Sequence, residues 1–282
     1  MNNQAARLVE LLKLDKNQIP ENGNKIVSIC SGKGGTGKSF FAANLAFLLS
    51  QKRKKVLLID FDLNFSNINI LLNHTVKKNI SNFFYQTESL EELVVNYNEN
   101  LDLIFGASGE NEMPKLSNDL LDYFFAMLNK IAFKYDFIIL DSSAGANDFT
   151  VKQLLNSNIN IVLLSPEPTA VMDAYVVIKL LKENGYSGHK LAVVNKTMSA
   201  NDANDAFNNL SVASKHFLNE GVEFLGEISF GKEVHQSIIN QELLATSDQN
   251  SIQIAQISGC ADRLIKYAQM ANSNHSTHSI AK

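Results

Sequence analysis

The 282-residue sequence has two cysteines, four prolines and no tryptophan. Cys30 and Cys260 lie far apart, so they lack both the paired spacing of a zinc site and the density of a disulfide-stabilised secreted domain. No apolar run approaches the ~18 residues that a membrane-spanning helix needs. The polar residues 1–4 are not followed by the apolar core of a signal peptide. These absences favour a cytoplasmic protein without a cysteine-based metal centre.

Basic charge is also not in excess. Lysine and arginine number 25 and acidic residues 29, which gives a formal net charge of −4. This balance disfavours a surface that binds nucleic acid throughout, although it allows a local basic patch. With 45% hydrophobic residues, the chain can bury a large core and fits one α/β domain, or at most two small ones.

One glycine-rich stretch carries the strongest functional signal. An apolar run at residues 26–30 leads into SGKGGTGKS at residues 31–39, and an apolar helical pattern follows. Strand, glycine loop and helix in this order are the context of a phosphate-binding loop, whose backbone N–H groups and helix N-terminus face the phosphates. Lys38 is predicted to reach the β- and γ-phosphates, and the Ser39 hydroxyl to bind Mg²⁺. The predicted nucleotide-binding residues are Gly32, Lys33, Gly34, Gly35, Thr36, Gly37, Lys38, Ser39 and Phe40.

The second residue of the glycine motif, Lys33, resembles the signature of the deviant Walker A ATPases, a family that includes MinD and ParA. In that family the extra lysine reaches across a nucleotide-sandwich dimer to the partner's phosphates. The resemblance implies ATP and Mg²⁺ as cofactors, a homodimer that forms on ATP binding, and catalytic roles for Lys33 and Lys38. A cation beside the triphosphate offsets the charge that builds up during phosphoryl transfer.

Acidic residues follow the next apolar run, at residues 56–59. Asp60 and Asp62 are predicted to lie at the carboxyl end of a strand, where ligands bind in open α/β sheets. The family resemblance implies that Asp62 positions the attacking water and that Asp60 supports Mg²⁺ or the lysine. Residues 63–72 resemble the first switch region, with Asn67 in the place of its usual asparagine.

A third apolar run, at residues 137–140, ends in Asp141. This is the Walker B pattern, in which the carboxylate holds Mg²⁺. Residues 142–145 resemble the second switch region, whose glycine can swing toward the γ-phosphate.

Two later positions resemble nucleotide contacts of the same family. Glu167 lies in the segment SPEPTA at residues 165–170, and in relatives this glutamate lies at the dimer face near the nucleotide. Asn195 matches the asparagine that reads adenine, since an amide can pair with both a donor and an acceptor of the base. A strand-end asparagine is otherwise a common turn former, and that alternative stays open.

The first residues resemble the opening segment of the flagellar MinD-like ATPases of the FlhG type. Gln4, Ala5 and Leu8 match that segment, whereas Asn3 and Val9 replace its acidic and final basic residues. In FlhG the segment contacts and stimulates the flagellar GTPase FlhF. The resemblance implies such a partner, and a role in limiting the number or placement of flagella.

We therefore expect a doubly wound, mostly parallel sheet of the P-loop NTPase class. Residues 1–24 are interpreted as an amphipathic segment and linker, residues 25–270 as the ATPase domain, and residues 271–282 as a disordered polar tail. Residues 79–100 are expected to be largely helical. The last helix has little basic amphipathic character, which predicts weak or partner-dependent contact at the inner face of the membrane.

Two alternatives remain. A ParA-type partition ATPase would bind DNA, which the acidic charge balance disfavours. A nucleotide-binding scaffold with little turnover would fit the departures from the FlhG pattern at Asn64, Phe65, Ser229 and Gly231. The retained lysines and carboxylates of the site argue against such a scaffold.

Overall fold

The structure is a computed structural model that describes residues 25–62, 66–107 and 116–278, with side chains described between residues 26 and 269. The segment that is predicted to contact a flagellar GTPase lies outside the described residues. So do Asn64 and Phe65, within the segment that resembles the first switch region.

A single sheet forms the centre of the described fold. Its strand order is β3-β4-β2-β5-β1-β6-β7-β8, and every neighbouring pair is parallel except β3 with β4. The prediction of a doubly wound, mostly parallel sheet is therefore confirmed. The strands are β1 (Lys25–Cys30), β2 (Val56–Phe61), β3 (Val95–Asn98), β4 (Leu101–Ile104), β5 (Phe137–Ser142), β6 (Ile159–Leu164), β7 (His189–Thr197) and β8 (Glu223–Ser229).

Helices cover both faces of this sheet, which explains why its central strands are apolar at nearly every position. The described helices are α1 (Lys38–Gln51), α2 (Ile68–Leu71), α3 (Ile80–Phe84), α4 (Leu90–Leu93), α5 (Asn118–Ala132), α6 (Asp148–Leu155), α7 (Pro168–Glu183), α8 (Ala200–Ala213), a π-helical turn (Ser214–Leu218), α9 (Lys232–Ile239), α10 (Leu244–Ser247) and α11 (Ile252–His278).

The two faces of the sheet have separate cores. Helices α1 and α11 pack on one face, against alternate strand residues such as Val27 and Ile29. Helices α5, α7 and α8 pack on the other, against the intervening residues such as Ile26 and Cys30. This alternation follows from the two-residue period of a strand. No helix among the described residues is long and apolar enough to cross a lipid bilayer.

The expectation that residues 79–100 are largely helical is wrong. Asn79 and Ser89 each begin a short helix through a capping box, but α3 and α4 end after about one turn. Strand β3 follows and pairs antiparallel with β4. Val95 and Tyr97 pack against the core while the asparagines between and after them are polar, a two-residue period typical of an edge strand. This alternation favours a strand at residues 95–98 over a continuation of the preceding helix.

At the other end of the chain, helix α11 runs to His278. It therefore continues past residue 271, where the sequence analysis placed the start of a polar tail.

The carboxyl ends of the central strands meet at one edge of the sheet. Strand β5 lies between β2 and β1, and its register places Asp141 opposite Asp60 on one side and Ile29 on the other. The glycine loop follows β1 directly. The topology thus brings the predicted phosphate loop and the predicted acidic residues to the same edge.

Candidate active site

The glycine loop joins the end of β1 to the start of α1, and residues from other parts of the chain pack closely against it. Gly37 adopts a left-handed conformation with φ of +94°, and a Cβ there would lie 2.5 Å from Nδ2 of Asn195. A Cβ on Gly32 would lie 2.4 Å from the carbonyl oxygen of Asp173. Glycine is required at both positions, since a side chain would be strained or would meet neighbouring atoms. Gly34 and Gly35 are exposed, so their backbone faces the open side of the loop.

Lys38 lies buried at the start of α1. Its Nζ donates a hydrogen bond to Oγ of Ser31 at 2.9 Å, and that hydroxyl donates to the carbonyl oxygen of Lys33 at 2.7 Å. Burial lowers the pKa of Lys38, while the nearby carboxylate of Asp141 acts in the opposite direction. The ammonium group is thus held inside the curve of the loop, where it can meet an anion.

Asp141 is a fully buried carboxylate at the end of β5. Neither of its oxygens accepts a hydrogen bond of good geometry from any described residue, although the Ser39 hydroxyl lies close enough to lower its pKa. Burial raises the pKa of Asp141 well above its usual range, the adjacent Asp60 adds to the shift, and the charge of Lys38 opposes it. A buried carboxylate with free acceptor capacity is suited to a hard cation with oxygen ligands. The residues present therefore fit Mg²⁺, with Ser39 and Asp141 as its protein ligands.

Asp60 has a different environment. Its Oδ2 accepts hydrogen bonds from Oγ of Ser66 at 2.6 Å, from N of Asn67 at 3.1 Å and from N of Ile68 at 3.1 Å. Its Oδ1 accepts from N of Asp62 at 3.2 Å. Burial raises the pKa of Asp60 to about 6, and these donors act against that shift. The carboxylate anchors the start of α2, a role that the sequence analysis missed; its function toward Mg²⁺ stays a prediction.

Asp62 is the first residue after β2 and is half-buried at the same edge of the sheet. Its role in positioning water stays a prediction. Phe40 is buried in the core of the α1 face, so its ring is directed away from any ligand in the loop. Its backbone N–H is the group that could meet a phosphate.

Lys33 and Glu167 are brought together within the same chain. Nζ of Lys33 lies 2.6 Å from Oε2 of Glu167, with 36% and 64% of the two side chains exposed. The hydrogen bond from Lys33 lowers the pKa of Glu167, and Ser165 and Lys196 add to the shift. The sequence motifs mark both residues but do not predict that they form a pair.

Asn195 lies at the end of β7 and braces the glycine loop. Its Nδ2 donates to the carbonyl oxygen of Thr36 at 2.7 Å, and its Oδ1 accepts from N of Lys196 at 2.9 Å. Lys196 has a φ of +63°, and its Nζ donates to the carbonyl oxygen of Gly35 at 2.7 Å. Lys196 was not predicted as a site residue, since no sequence motif marks it. Adenine recognition by Asn195 stays a prediction.

The segment after Asp141 also contacts the glycine loop. Gly145 has a φ of +85°, and its N–H donates to the carbonyl oxygen of Ser31 at 3.1 Å. The hydroxyls of Ser143 and Thr150 lie 3.1 Å apart and connect this turn to α6. The two loops that would face a triphosphate are therefore in direct contact.

Comparison with known proteins agrees with this geometry. A family model described as an AAA domain, AAA_31, matches residues 24–191. The chain is 30% identical over 267 residues to the flagellum site-determining protein YlxH of Helicobacter pylori, covering 92% of this chain and 90% of YlxH. It is 25% identical over 217 residues to the antiactivator FleN of Pseudomonas aeruginosa, covering 77% and 78% of the two chains.

Solved structures show the same fold. The septum site-determining protein MinD of Pyrococcus horikoshii, complexed with Mg-ADP, superposes with a TM-score of 0.72 at 22% identity, covering 88% of this chain and 98% of MinD. The cell division ATPase MinD of Pyrococcus furiosus gives a TM-score of 0.71 at 21% identity, with 86% and 99% of the chains covered. The chain belongs to the AAA domain family matched above and, within it, to the MinD- and ParA-like ATPases that include YlxH and FleN.

Proposed function

We propose that this ATPase is a nucleotide-controlled switch of the FlhG type, which dimerises when it binds ATP and regulates the number or placement of flagella. The observation that carries the proposal is the position of Lys38 beside the buried carboxylate of Asp141, whose oxygens accept no hydrogen bond of good geometry from the described residues. A lysine ammonium group fixed next to a carboxylate suited to Mg²⁺ is the arrangement that phosphoryl transfer from a triphosphate requires.

The chain's own groups divide the work of hydrolysis. The backbone N–H groups of residues 32–40 and the Lys38 ammonium bind the phosphates. Ser39 and Asp141 would hold Mg²⁺, which would supply positive charge beside the phosphate oxygens. Asp62 orients the attacking water. Gly145, at the contact between the two loops, senses whether the γ-phosphate is present.

Dimerisation makes this chemistry a switch. Lys33 lies at the open side of the glycine loop, where a second copy would approach, and it would complete the partner's nucleotide site. ATP would bind the dimeric state better than ADP does, so hydrolysis would return the chain to the monomer. The functional result of ATP binding is then the surface that the dimer forms, rather than the ADP and phosphate that hydrolysis releases.

The flagellar assignment is supported by the similarity to YlxH, a flagellum site-determining protein, and by the resemblance of Gln4, Ala5 and Leu8 to the FlhG segment that contacts FlhF. We propose that this segment docks to a flagellar GTPase of the FlhF type. We further propose that the chain works in the cytoplasm, with weak or partner-dependent contact at the inner face of the membrane, and that it does not bind DNA.

Light scattering with size-exclusion chromatography tests the switch. Asp62→Ala is expected to trap a dimer in ATP and Mg²⁺, because the nucleotide binds without being hydrolysed, whereas ADP leaves a monomer. Asp62→Ala combined with Lys38→Ala is the control and stays monomeric. A chain that remains monomeric in ATP with Asp62 disabled would contradict the proposal.

Deletion of residues 1–24 tests the flagellar partner separately. The shortened chain is expected to keep ATP hydrolysis and to lose capture of a purified FlhF-type GTPase. The double substitution Gln4→Ala and Leu8→Ala is expected to reproduce the loss, while Asn3→Ala leaves capture unchanged. Equal capture by the full and shortened chains would contradict this docking mode.

A further inference from the structure

A buried glutamine ties helix α6 to the two central strands beneath the active site. Gln153 lies on α6 and has no exposed surface. Its Nε2 donates to Oγ of Ser142 on β5 at 2.7 Å and to Oγ of Ser28 on β1 at 3.1 Å. Both amide hydrogens of one side chain are thus used to join three elements of the fold.

In the hydrogen bonds of the surrounding hydroxyls, the donor and the acceptor can be assigned. Oγ of Ser157 donates to the carbonyl oxygen of Gln153 at 3.0 Å, which uses its hydrogen. The bond of 2.7 Å between the hydroxyls of Ser28 and Ser157 must then run from Ser28 to Ser157. Ser28 gives its hydrogen there and accepts from Gln153, so its hydroxyl cannot rotate without losing a bond.

Stability alone does not account for a glutamine at this place. Its Oε1 is buried and accepts no hydrogen bond from any described residue. A buried carbonyl oxygen without a donor is unfavourable, and an apolar residue of similar size would avoid that cost. The amide group therefore has a use that compensates for its unpaired oxygen.

That use follows from the location of its partners. Ser142 comes directly after Asp141, and Ser28 lies three residues before Ser31 of the glycine loop. Residues 143–147, which carry the glycine that contacts Ser31, connect β5 to α6. This turn is held at one end by β5 itself and at the other by α6, which Gln153 links to both strands.

We propose that Gln153 is a positioning residue for ATP hydrolysis. It fixes α6 against β1 and β5 and thereby sets how far residues 143–147 lie from the γ-phosphate, without touching the nucleotide. The inference rests on the proposed binding of the triphosphate at the glycine loop. Since ADP lacks the γ-phosphate, the effect falls on turnover and not on ADP affinity.

Gln153→Met tests the role, because methionine keeps the length of the side chain and removes both donors. Single-turnover ATP hydrolysis is expected to slow by about 10- to 100-fold, as for misplacement by roughly 1 Å of a group remote from the chemistry. Affinity for a fluorescent ADP analogue is expected to change by less than about twofold. If this variant does not fold, the triple variant Gln153→Met with Ser28→Ala and Ser142→Ala removes both hydroxyls that are left without their donor.

Ser157→Ala is the matched control. It removes a hydroxyl of the same network but leaves both links from Gln153 to the strands, so it is expected to lower the melting temperature while keeping the rate of hydrolysis. Normal turnover in Gln153→Met, or equal losses of turnover in both variants, would overturn the positioning role. Failure of the unaltered chain to bind or hydrolyse ATP would instead overturn the proposed function, and the positioning role with it.

Discussion

Lys33 is paired with Glu167 of its own chain, with 2.6 Å between Nζ and Oε2. The proposed dimer requires the same ammonium group to reach a partner's phosphates. Glu167 and a partner's phosphates would compete for this ammonium group, so the ion pair within the chain opposes assembly. Glu167 lies at the N-cap of α7, which fixes its backbone and leaves only its side chain to move.

Glu167→Gln is therefore expected to favour the ATP-bound dimer, because the neutral amide holds Lys33 less strongly. The dissociation constant of the dimer should fall by less than about tenfold, since exposed ion pairs are screened by water and salt. Analytical ultracentrifugation of the hydrolysis-deficient Asp62→Ala background provides the measurement.

Glu183→Gln is a matched control on the same helix, since Glu183 forms an exposed ion pair with Lys179. It is expected to leave dimerisation unchanged. Weaker dimerisation in Glu167→Gln would show that Glu167 contributes directly to the face between two copies, as the family resemblance implies, rather than restraining Lys33.

The pH dependence of stability follows from the two buried carboxyl groups. Burial raises the pKa of Asp60 from 3.8 to about 6, and burial together with the neighbouring Asp60 also raises the pKa of Asp141. A carboxyl group with a raised pKa in the folded state binds its proton more tightly there than in the unfolded chain. Its contribution to the free energy of unfolding is fully present below the unfolded pKa and is lost as pH rises through the folded pKa.

The nucleotide-free protein should therefore lose stability between about pH 4 and pH 6 from Asp60, and the raised pKa of Asp141 adds a loss of the same sign as pH rises. Urea unfolding across this range measures the effect. Saturating Mg²⁺ and ADP should reduce the loss, because the cation favours ionised Asp141. Stability that rises steadily across this pH range would show that neither carboxyl group is strained by burial.

Asp141→Asn should separate stability from catalysis. The amide has nearly the same shape as the carboxylate but no charge to desolvate, so the nucleotide-free protein is expected to gain about 1–3 kcal/mol near neutral pH. The same change should abolish Mg²⁺-dependent hydrolysis, because a hard cation needs the anionic oxygen.

Thermal unfolding with and without Mg²⁺ and ADP checks the Asp141 prediction, and Asp136→Asn provides a control. Asp136 lies at the start of the same segment and accepts a hydrogen bond from N of Lys55, which an asparagine oxygen can also accept. The Asp136→Asn substitution should change neither the stability of the protein nor its rate of ATP hydrolysis. A less stable Asp141→Asn protein would mean that the charge of Asp141 is compensated in the free chain.

Local patterns predicted some of these features and not others. Asp141 could be found from the sequence because an apolar strand and the adjacent phosphate loop define its place. The pairing of Lys33 with Glu167 spans 134 positions and depends on where α7 begins relative to the glycine loop, which no local pattern encodes. Lys196 contacts Gly35 only because its backbone has a φ of +63°. Strand β3 was missed because four residues at a sheet edge carry too short an alternation.

The hydrogen-bond partners of Asp60 could not be predicted from the sequence either, since the motif marks only its position. Four donors from residues 62–68 converge on its carboxylate, so we expect Asp60 to act mainly as an anchor for the start of α2. Ser66→Ala removes the hydroxyl donor alone. It should lower the free energy of unfolding by roughly 1.5–3 kcal/mol, the range for a hydrogen bond to a charged group.

Isothermal titration of Mg²⁺ in the presence of ADP distinguishes an anchor from a metal ligand. Asp60→Asn should destabilise the fold, because one amide group cannot accept from all of the donors that converge on the carboxylate. As an anchor, Asp60 can be replaced in this way with little change in Mg²⁺ affinity, whereas Asp141→Asn eliminates binding. A comparable loss of Mg²⁺ affinity in both variants would instead assign Asp60 to the metal site, and the bonds to residues 66–68 would have to open when Mg²⁺ binds.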